Sequence, residues 1–469
     1  MLLSCLILDP QSSIRNQMLC VLMKTITENK IKLVKWSPSS RSKWVDRFLA
    51  RPPFDTKTEE VARKILADIQ REGDQGIVRY TKKYDNVQLS PTEFRVKSKE
   101  ILEAKKTVDQ AFKKAAAETY KRVMAFAKAG KKKSWNMASP HGGKLGEQYV
   151  PLDRVGAYIP GGKAPLASTA LMTVTLAKEA GVLEIIACTP TRVDGTVDPY
   201  ILYALDLAGA TEIYKIGGVQ AIGAMAYGTR ALPKVQKIVG PGNEYVTAAK
   251  RLVYGHVGLD LVAGPSEIAI LADSSASARN SAADLLSQAE HGTGAEKALF
   301  VTTSTKLAEA VRRELVRQTK ALKRKDSISV VLKKGMLLVV VENLDAGIEL
   351  CNRFAPEHFE LQVKRPRVWL KKIKVAGAVF MGPWTPEVAG DFVAGPSHVL
   401  PTGGAAIMFS GLTIDDFQRR MSVIDFSKKD LKETLPVIQA FSRVEGLDAH
   451  GRSAEVRFAK MNRSDGVME

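Results

Sequence analysis

Two side chains near the middle of the chain have types and a spacing that suit a metal ion. The segment Ser287–Gly292 reads SQAEHG and contains Gln288 and His291, three positions apart in a stretch with helical periodicity. Residues three apart lie on one face of a helix, and an imidazole nitrogen with an amide oxygen can bind a divalent cation such as zinc. The chain has 6 histidines in 469 residues, so the position of each one is informative.

A second polar segment, Ala355–Glu360 (APEHFE), places Glu357 directly before His358. Because a neutral imidazole titrates near physiological pH, this pair could transfer protons during a reaction. From these residues alone, an ion pair at the protein surface is an equal alternative.

Two further segments carry the remaining candidates. Gly390–Gly404 (GDFVAGPSHVLPTGG) is rich in glycine and proline, which predicts a rigid, irregular loop that fixes Asp391 and His398 as a ligand and a substrate contact. Near the C-terminus, EGLDAH places Glu445 five residues before His450. By itself that spacing is equally typical of an ordinary surface.

Secondary structure must position these segments, and the apolar pattern predicts an α/β fold. From Thr56 to Lys133 apolar residues recur at helical spacing. From Val155 onward short apolar runs alternate with helical segments, a pattern typical of βαβ units and parallel sheets. The predicted strands are Leu183–Ala187, Glu212–Ile216, Ile268–Leu271, Ala298–Thr302, Leu337–Val341 and Ala376–Phe380. The predicted helices are Thr169–Ala180, Tyr200–Ala208, Ser277–Glu290 and Lys306–Gln318, with a helical region from Asp415 to Lys460.

Two glycine-rich segments in the middle of the chain could bind a phosphate. Val155–Thr169 (VGAYIPGGKAPLAST) and Gly240–Val246 (GPGNEYV) each join a tight turn to the start of a helix, where free backbone N–H groups can bind an anion. Neither contains G-x-G-x-x-G, and neither has the glycine-to-lysine spacing of a Walker A loop. Spacing alone therefore gives nucleotide binding only partial support.

Composition and charge limit the classes of function. A content of 45% hydrophobic and 25% charged residues is that of a folded globular protein. The 4 cysteines form no C-x-x-C pair, which argues against a disulfide scaffold or a thiolate zinc site and fits a reducing, cytoplasmic setting. The net charge of +19 allows a nucleic-acid partner. The basic residues are dispersed, however, and their densest runs lack interleaved aromatics, so a lysine-rich solvated surface is favoured.

Residues 1–30 form an unusual leader. Its apolar run is too short to span a bilayer, ends at Asp9–Pro10 and lacks the basic start and cleavage site of a signal peptide. Translation from Met18 or Met23 is an alternative. No other apolar stretch approaches about 18 residues, so we predict no membrane span.

Taken together, these motifs resemble the histidinol dehydrogenase family from about Ile31 to the C-terminus. In chain order they are IPGGKAPLASTALM, GGVQAI, KIVGPGNEYVTAAK, AGPSEIAILAD, DLLSQAEHG, APEHFELQV, GDFVAGPSHVLPT and EGLDAH. The resemblance implies oxidation of L-histidinol to L-histidine through an enzyme-bound aldehyde, with reduction of two NAD. It also implies a homodimer in which the C-terminal arm completes the active site of the partner subunit.

The resemblance further implies roles for single residues. His358 resembles the general base, and Glu357 resembles the residue that activates water. The implied zinc ligands are Gln288, His291, Asp391 and His450. The implied substrate contacts are Ser266, Gln288, His291, His358, Asp391, His398, Glu445 and His450. The implied NAD contacts are Tyr158, Gln220 and Asn243. Zinc would anchor the amine and imidazole of the substrate.

The fold that the family implies is α/β, with two incomplete Rossmann-like domains and small helical N- and C-terminal segments. Incomplete domains of this kind would explain why the usual glycine fingerprint is missing. The expected division is a leader at 1–30, an N-terminal segment at 31–55, a larger catalytic domain at 56–154 and 268–410, an NAD-binding domain at 155–267 and a C-terminal arm at 411–469.

Two other functions compete with this interpretation. A family relative could use the same zinc and NAD chemistry on another polar alcohol, such as a dihydroxypropane sulfonate, but Glu445 and His398 favour a cationic imidazole substrate. Ser397 and Ile407 depart from the asparagine and arginine common in relatives, and both border the substrate loop. The alternative of a non-catalytic nucleic-acid-binding protein is supported only by the net charge, and it does not explain the metal-ligand set or the acid–base pair.

Overall fold

The computed structural model describes residues 28–51, 55–161, 164–262 and 264–459. The predicted leader lies outside these ranges, except for a 3₁₀ turn at Glu28–Lys30. Within the described residues, no helix has both the length and the apolar character that crossing a membrane requires.

Helices and strands alternate regularly through the middle of the described chain. The helices are α1 (Lys43–Leu49), α2 (Thr56–Glu72), α3 (Asp74–Asp85), α4 (Ser98–Thr107), α5 (Gln110–Gly130), α6 (Ala167–Ala180), α7 (Pro199–Ala208), α8 (Gly218–Tyr227), α9 (Glu244–Val253), α10 (Ala278–Ala289), α11 (Thr305–Thr319), α12 (Lys325–Lys334), α13 (Leu344–Phe354), α14 (Pro366–Leu370), α15 (Glu387–Phe392), α16 (Lys428–Glu445) and α17 (Asp448–Glu455). The strands are β1 (Lys32–Lys35), β2 (Trp135–Ala138), β3 (Lys144–Pro151), β4 (Arg154–Tyr158), β5 (Glu184–Cys188), β6 (Glu212–Tyr214), β7 (Lys237–Val239), β8 (Gly258–Leu259), β9 (Glu267–Ala272), β10 (Lys297–Thr302), β11 (Met336–Val340), β12 (His358–Gln362), β13 (Ala378–Met381) and β14 (Gln418–Asp425). The strands and helices predicted between residues 169 and 380 are present, with ends that differ by at most two residues.

The larger sheet has six parallel strands in the order β1-β11-β10-β9-β12-β13. Every residue of β9 and of β12 is buried. Side chains of α10, α11 and α12 pack on one face, and side chains of α1 and α13 pack on the other. Because both faces are covered, β9, β10 and β11 are mostly apolar, whereas β12 (HFELQ) has buried polar side chains at alternate positions. The order of the strands reverses between β9 and β12, since β10 and β11 extend the sheet on one side of β9 and β12 extends it on the other.

The smaller parallel sheet has five strands in the order β6-β5-β4-β7-β8. From β4 the chain first builds outward through β5 and β6, and then on the opposite side through β7 and β8. In open α/β sheets, ligands bind beyond the carboxyl ends of the strands where the order reverses, which here is the crevice between β4 and β7. Residues 260–266 connect β8 to β9, so this connector runs from the carboxyl edge of the smaller sheet to the amino edge of the larger one. The two parallel sheets confirm the predicted α/β class.

The helices between residues 56 and 130 pack on the smaller sheet. Ile69 of α2 shares a buried apolar cluster with Ile222 of α8, and Val123 of α5 shares a second cluster with α6 and α7. The predicted grouping of 56–154 with 268–410 therefore differs from the observed packing. The reason is that the apolar stripes of α2 and α5 are buried against the five-stranded sheet, and a helical pattern does not reveal which sheet will cover it.

A third sheet is antiparallel and has the order β14-β3-β2. Strand β14 pairs with β3 over eight residues, from Gln418 opposite Pro151 to Asp425 opposite Lys144. The predicted helical region from Asp415 to Lys460 is wrong over this strand, because a distant pairing partner decides its conformation and the local pattern does not. Within the same region, Lys428–Glu445 (α16) and Asp448–Glu455 (α17) are helical, as predicted.

Asp430, in the first turn of α16, fastens the C-terminal arm to the turn before β3. Its carboxylate accepts hydrogen bonds from the Ser139 hydroxyl and from the backbone N–H groups of His141 and Gly143. It also accepts hydrogen bonds from the backbone N–H and hydroxyl of Ser427, the N-cap of α16. Desolvation raises the pKa of Asp430, but the hydrogen bonds from Ser139 and Ser427 outweigh it and the pKa is lowered.

We predict that Asp430→Asn lowers the urea midpoint of unfolding at pH 7, because an amide cannot accept this set of hydrogen bonds. Asp425→Asn, at an exposed position of β14, is the control and should leave the midpoint unchanged. A lowered pKa in the folded state means that the stabilisation is present above the ordinary aspartate value of about 3.9 and is lost as the pH falls below it. The difference between wild type and Asp430→Asn should therefore be constant from about pH 5.5 to 8. Equal midpoints at pH 7 would contradict the role given to Asp430.

Candidate active site

Glu357 and His358 lie at the amino edge of the larger sheet. Helix α13 ends at Ala355, whose left-handed backbone (φ 51°) stops the helix, and Pro356 follows. His358 then begins β12 and lies between Ile268 of β9 and Ala378 of β13. Both side chains are buried, so the alternative of a surface ion pair is wrong.

The backbone of one residue, Glu267, contacts both of these side chains. The backbone N–H of Glu267, the first residue of β9, donates to Oε2 of Glu357 at 3.0 Å. The backbone carbonyl of Glu267 lies 3.2 Å from Nδ1 of His358. Because a carbonyl oxygen can only accept, Nδ1 carries the hydrogen and the lone pair of the neutral ring lies on Nε2.

The side chain of Glu267 is itself anchored. Arg51 forms an ion pair with it and also donates to the backbone carbonyl of Phe354 at 2.8 Å. The backbone N–H of Gly404, at the end of the predicted substrate loop, donates to Glu267 at 3.3 Å. Burial raises the pKa of Glu267 to about 7, although the charge of Arg51 opposes this. Glu267 therefore joins the N-terminal segment, the loop Gly390–Gly404 and the strand that contacts Glu357 and His358.

The helix α10 brings Gln288 to the same imidazole. Ser277 caps the start of α10, and Gln288, in its last turn, is fully buried with Oε1 3.0 Å from Nδ1 of His358. His291 follows at the exposed end of the helix. Desolvation lowers the pKa of His291, and the charge of Asp391 opposes the shift.

Helix α15 supplies two carboxylates, one on each side of the His358 ring. Oε2 of Glu387 lies 3.5 Å from Nδ1, and Oδ1 of Asp391 lies 3.6 Å from Nε2. Positions four apart project from one face of a helix, so both carboxylates point at the ring. Asp391 was predicted from the sequence and Glu387 was not. The four-residue spacing before Asp391 is the signal that could have found it.

A second layer of polar groups lies behind Glu387. Its Oε1 accepts a hydrogen bond from the Ser287 hydroxyl, and its backbone N–H donates to Oε1 of Glu360 at 2.9 Å. Glu360 is completely buried and also accepts a hydrogen bond from Gln362 at 3.0 Å. Burial, together with the charge of Asp284, raises the pKa of Glu360 well above its ordinary value.

The protonation behaviour of the site reflects its excess of carboxylates. Burial raises the pKa of Glu357 to about 8 and that of Glu387 to about 7. Burial lowers the pKa of His358, but the charge of Glu357 and the contacts with Asp391 and Glu387 outweigh it and raise the pKa to about 10. Burial raises the pKa of Asp391, but the close approach and the charge of His358 outweigh it and lower the pKa below its ordinary value. The site thus attracts positive charge, which a divalent cation would supply.

Two sets of side chains could hold such a cation. Ligand atoms of His358, Glu387 and Asp391 all lie within 4.8 Å of one another. However, Glu387 faces Nδ1 and Asp391 faces Nε2, and only one nitrogen of a ring can point at one ion. In the predicted set of Gln288, His291 and Asp391, Oδ1 of Asp391 lies beside Nε2 of His358, whereas Oε1 of Gln288 lies beside Nδ1. Nε2 of Gln288 and Nε2 of His358 are both buried without a hydrogen-bond partner. The chemistry of this second set fits a metal ion.

Two other predicted substrate contacts, His398 and Ser266, have defined surroundings within one chain. Nε2 of His398 lies 3.1 Å from the Thr169 hydroxyl, in the first turn of α6. Burial lowers the pKa of His398, and the charge of Asp391 opposes the shift. Ser266 directly precedes Glu267 and is half-buried. These contacts place the substrate loop between the two parallel sheets.

The predicted residues of the C-terminal arm are not part of this cluster. Glu445 ends α16, His450 lies in α17, and both are exposed. In the described residues neither has a recorded contact with the imidazole of His358. Their assignment to the site remains a prediction.

The predicted NAD contacts lie near the carboxyl edge of the smaller sheet. Tyr158 ends β4, and its hydroxyl accepts a hydrogen bond from the backbone N–H of Gly218 at 3.1 Å. Gln220, in the first turn of α8 after β6, is buried and lies 3.4 Å from Oδ2 of Asp85. Asn243 caps α9, which follows β7. Their role in binding NAD stays a prediction.

Comparison with known proteins identifies the family. A family model described as histidinol dehydrogenase matches residues 50–458. The histidinol dehydrogenase of Moorella thermoacetica is 43% identical over 417 residues, which cover 89% of this chain and 97% of that protein. That of Bacillus cereus is 43% identical over 395 residues, which cover 84% of this chain and 91% of that protein. The chain belongs to the histidinol dehydrogenase family.

The fold agrees with that of a solved family member. The crystal structure of histidinol dehydrogenase from Elizabethkingia anophelis has a TM-score of 0.86 and 34% identity, with 91% of this chain and 98% of that chain covered. The resemblance drawn from the eight motifs is therefore confirmed at the level of sequence and fold.

We predict that Glu387→Gln lowers the turnover number of the enzyme at least about tenfold, because the residue that orients a catalytic imidazole contributes strongly to the rate. An uncharged amide at this position cannot stabilise a positive ring. Steady-state kinetics with saturating substrates measures the effect, and zinc content should not change. Glu349→Gln, on the exposed side of α13, is the matched control. An unchanged turnover number in Glu387→Gln would show that Glu387 does not act on His358.

Proposed function

We propose that this chain oxidises L-histidinol to L-histidine in two NAD-dependent steps, the last reaction of histidine biosynthesis. The observation that carries the proposal is that Glu357 and His358 both contact the backbone of Glu267. Gln288 and Asp391 lie beside the same imidazole, and the chain is a member of this family. The arrangement provides a base, a group that can activate water and oxygen and nitrogen ligands for a cation.

In the first step the neutral form of His358 takes the proton of the alcohol. The raised pKa of His358 comes from the surrounding carboxylates, and a divalent cation bound among them would lower it again. Removal of this proton and of a hydride converts the alcohol to an aldehyde, with one NAD reduced. The contact of Nδ1 with the Glu267 carbonyl leaves Nε2 as the basic atom, and Nε2 has no hydrogen-bond partner of its own. The carboxylates of Glu387 and Asp391 stabilise the imidazolium that forms.

In the second step Glu357 activates water. Its Oε2 accepts the Glu267 N–H, which fixes the carboxyl group while the other oxygen remains available. Because burial raises its pKa to about 8, the ionised form of this group is a stronger base than an ordinary carboxylate and can take a proton from water. Water adds to the aldehyde to give its hydrate, and loss of a second hydride to NAD and of a proton gives the carboxylic acid.

We propose one zinc ion per subunit, held by Gln288, His291 and Asp391 with His450 of the partner subunit. When bound, the ion would orient and polarise the substrate through its amine and imidazole. The clustering of the first three residues and the excess of carboxylates support this assignment. Ser266, His398 and the partner subunit's Glu445 complete the proposed substrate contacts.

We propose that NAD binds in the crevice between β4 and β7, against Tyr158, Gln220 and Asn243. The reversal of strand order at this crevice supports the assignment. The connector 260–266 then leads from the nucleotide side to the amino edge of the larger sheet, where His358 lies. This geometry would bring the nicotinamide toward the substrate.

We propose a cytoplasmic homodimer, with L-histidinol as its small-molecule substrate and with no nucleic-acid or membrane partner. The C-terminal arm presents exposed apolar side chains that suit a subunit interface, among them Val437, Phe441 and Val444 of α16. A partner subunit that covers this arm would also bring Glu445 and His450 into its own site.

The test is the stoichiometry of NAD reduction by the zinc-loaded protein supplied with limiting L-histidinol. Because the oxidation removes four electrons, we expect two NADH for each histidinol consumed and histidine as the product. Absorbance at the NADH band and chromatography of the product measure the two quantities. No turnover of histidinol would contradict the proposal, as would turnover of a dihydroxypropane sulfonate in its place.

A further inference from the structure

A buried ion pair lies at the nucleotide side of the smaller sheet, away from the catalytic residues. Nζ of Lys250, in α9, is 2.5 Å from Oδ1 of Asp260, the first residue of the connector after β8. The two side chains are 3% and 1% exposed. Removing two charges from water is unfavourable unless further hydrogen bonds compensate, so the partners of this pair indicate what it does.

The pair binds both backbone polar groups of one glycine. Nζ of Lys250 donates to the carbonyl of Gly240 at 3.0 Å, and Oδ2 of Asp260 accepts from the N–H of Gly240 at 2.7 Å. Oδ1 of Asp260 also accepts from the N–H of Leu261 at 2.6 Å. These hydrogen bonds fix the position and the orientation of the Gly240 peptides.

Gly240 lies where the carboxyl ends of β4 and β7 meet. Its φ is +108°, a conformation that side chains rarely adopt, and a Cβ there would lie 2.2 Å from the carbonyl oxygen of Tyr158. The turn that begins at Gly240 leads through Pro241 to Asn243, the N-cap of α9. Gly240 is thus the fixed start of a turn that lines the β4–β7 crevice.

A purely structural role would not require this geometry. An ion pair that only joined α9 to the connector would not need to contact Gly240. Lys105 of α4 and Asp206 of α7, for example, form an ion pair that joins two helices at the surface of the same domain. The Lys250–Asp260 pair, in contrast, also forms hydrogen bonds with Gly240 at the start of the turn. Through Leu261 it also contacts the connector that leads to Ser266 and the catalytic strand β9.

We infer that Lys250 and Asp260 are positioning residues for the dinucleotide: they hold the Gly240–Asn243 turn in the conformation that binds NAD, without touching NAD themselves. This inference rests on the proposed NAD site. It predicts that loss of the pair weakens nucleotide binding and leaves histidinol binding and metal binding intact.

The experiment uses full-length, zinc-loaded protein and three variants: Lys250→Met, the double variant Lys250→Met/Asp260→Asn, and Lys105→Met as the matched control. NADH binding is measured by fluorescence titration, the KM values for NAD and histidinol by kinetics, and thermal stability by the melting temperature. In Lys250→Met we expect the KM for NAD and the Kd for NADH to rise about tenfold or more, with the KM for histidinol and the zinc content unchanged. Lys105→Met should match the wild type.

The double variant separates positioning from stability. It leaves no unpaired buried charge, so its melting temperature should recover toward the wild-type value, while the weak NADH binding should persist because Gly240 has lost its lysine contact. Recovery of NADH affinity together with stability would overturn the inference, as would unchanged NADH affinity in a folded Lys250→Met protein. If the wild type itself binds no NADH, the proposed function fails, and that outcome is distinct from the two that overturn this inference alone.

Discussion

The backbone of Glu267 makes the contacts on which the arrangement of the candidate active site depends. Its N–H donates to Glu357 and its carbonyl lies against Nδ1 of His358, so the two peptide groups that flank one residue at the start of β9 orient both side chains. A backbone N–H can only donate and a carbonyl can only accept. In the neutral ring, Nδ1 therefore carries the hydrogen and the basic nitrogen is Nε2, which faces Asp391.

The position of Glu267 follows from how the two parallel sheets are joined. The crevice between β4 and β7 is at the carboxyl edge of the smaller sheet, and Glu357 and His358 are at the amino edge of the larger one. The connector 260–266 joins these two edges directly. The proposed nucleotide and substrate sites are therefore linked by one short segment, although neither sheet alone contains all of the proposed residues. The same connector carries Asp260 at its start and Ser266 at its end.

Much of this fold could be predicted from the sequence, because strands buried on both faces are continuous apolar runs that alternate with helices. Strand β14 could not, since its partner β3 lies far away in the chain and its own pattern is mixed. Glu387 was missed for a related reason: its role comes from the fold, which turns α15 toward His358. Family resemblance supplied His450, which no local pattern distinguished from an exposed histidine.

We propose that the residues that hold the cation differ from the residue that acts as the base, although all of them lie around the His358 imidazole. Zinc content of purified His291→Ala and His358→Asn proteins, measured by atomic absorption after dialysis, tests it most directly. We predict about one zinc per chain in the wild type and in His358→Asn, which should be inactive, and almost none in His291→Ala. Loss of zinc from His358→Asn with retention in His291→Ala would contradict it and would place the ion among His358, Glu387 and Asp391.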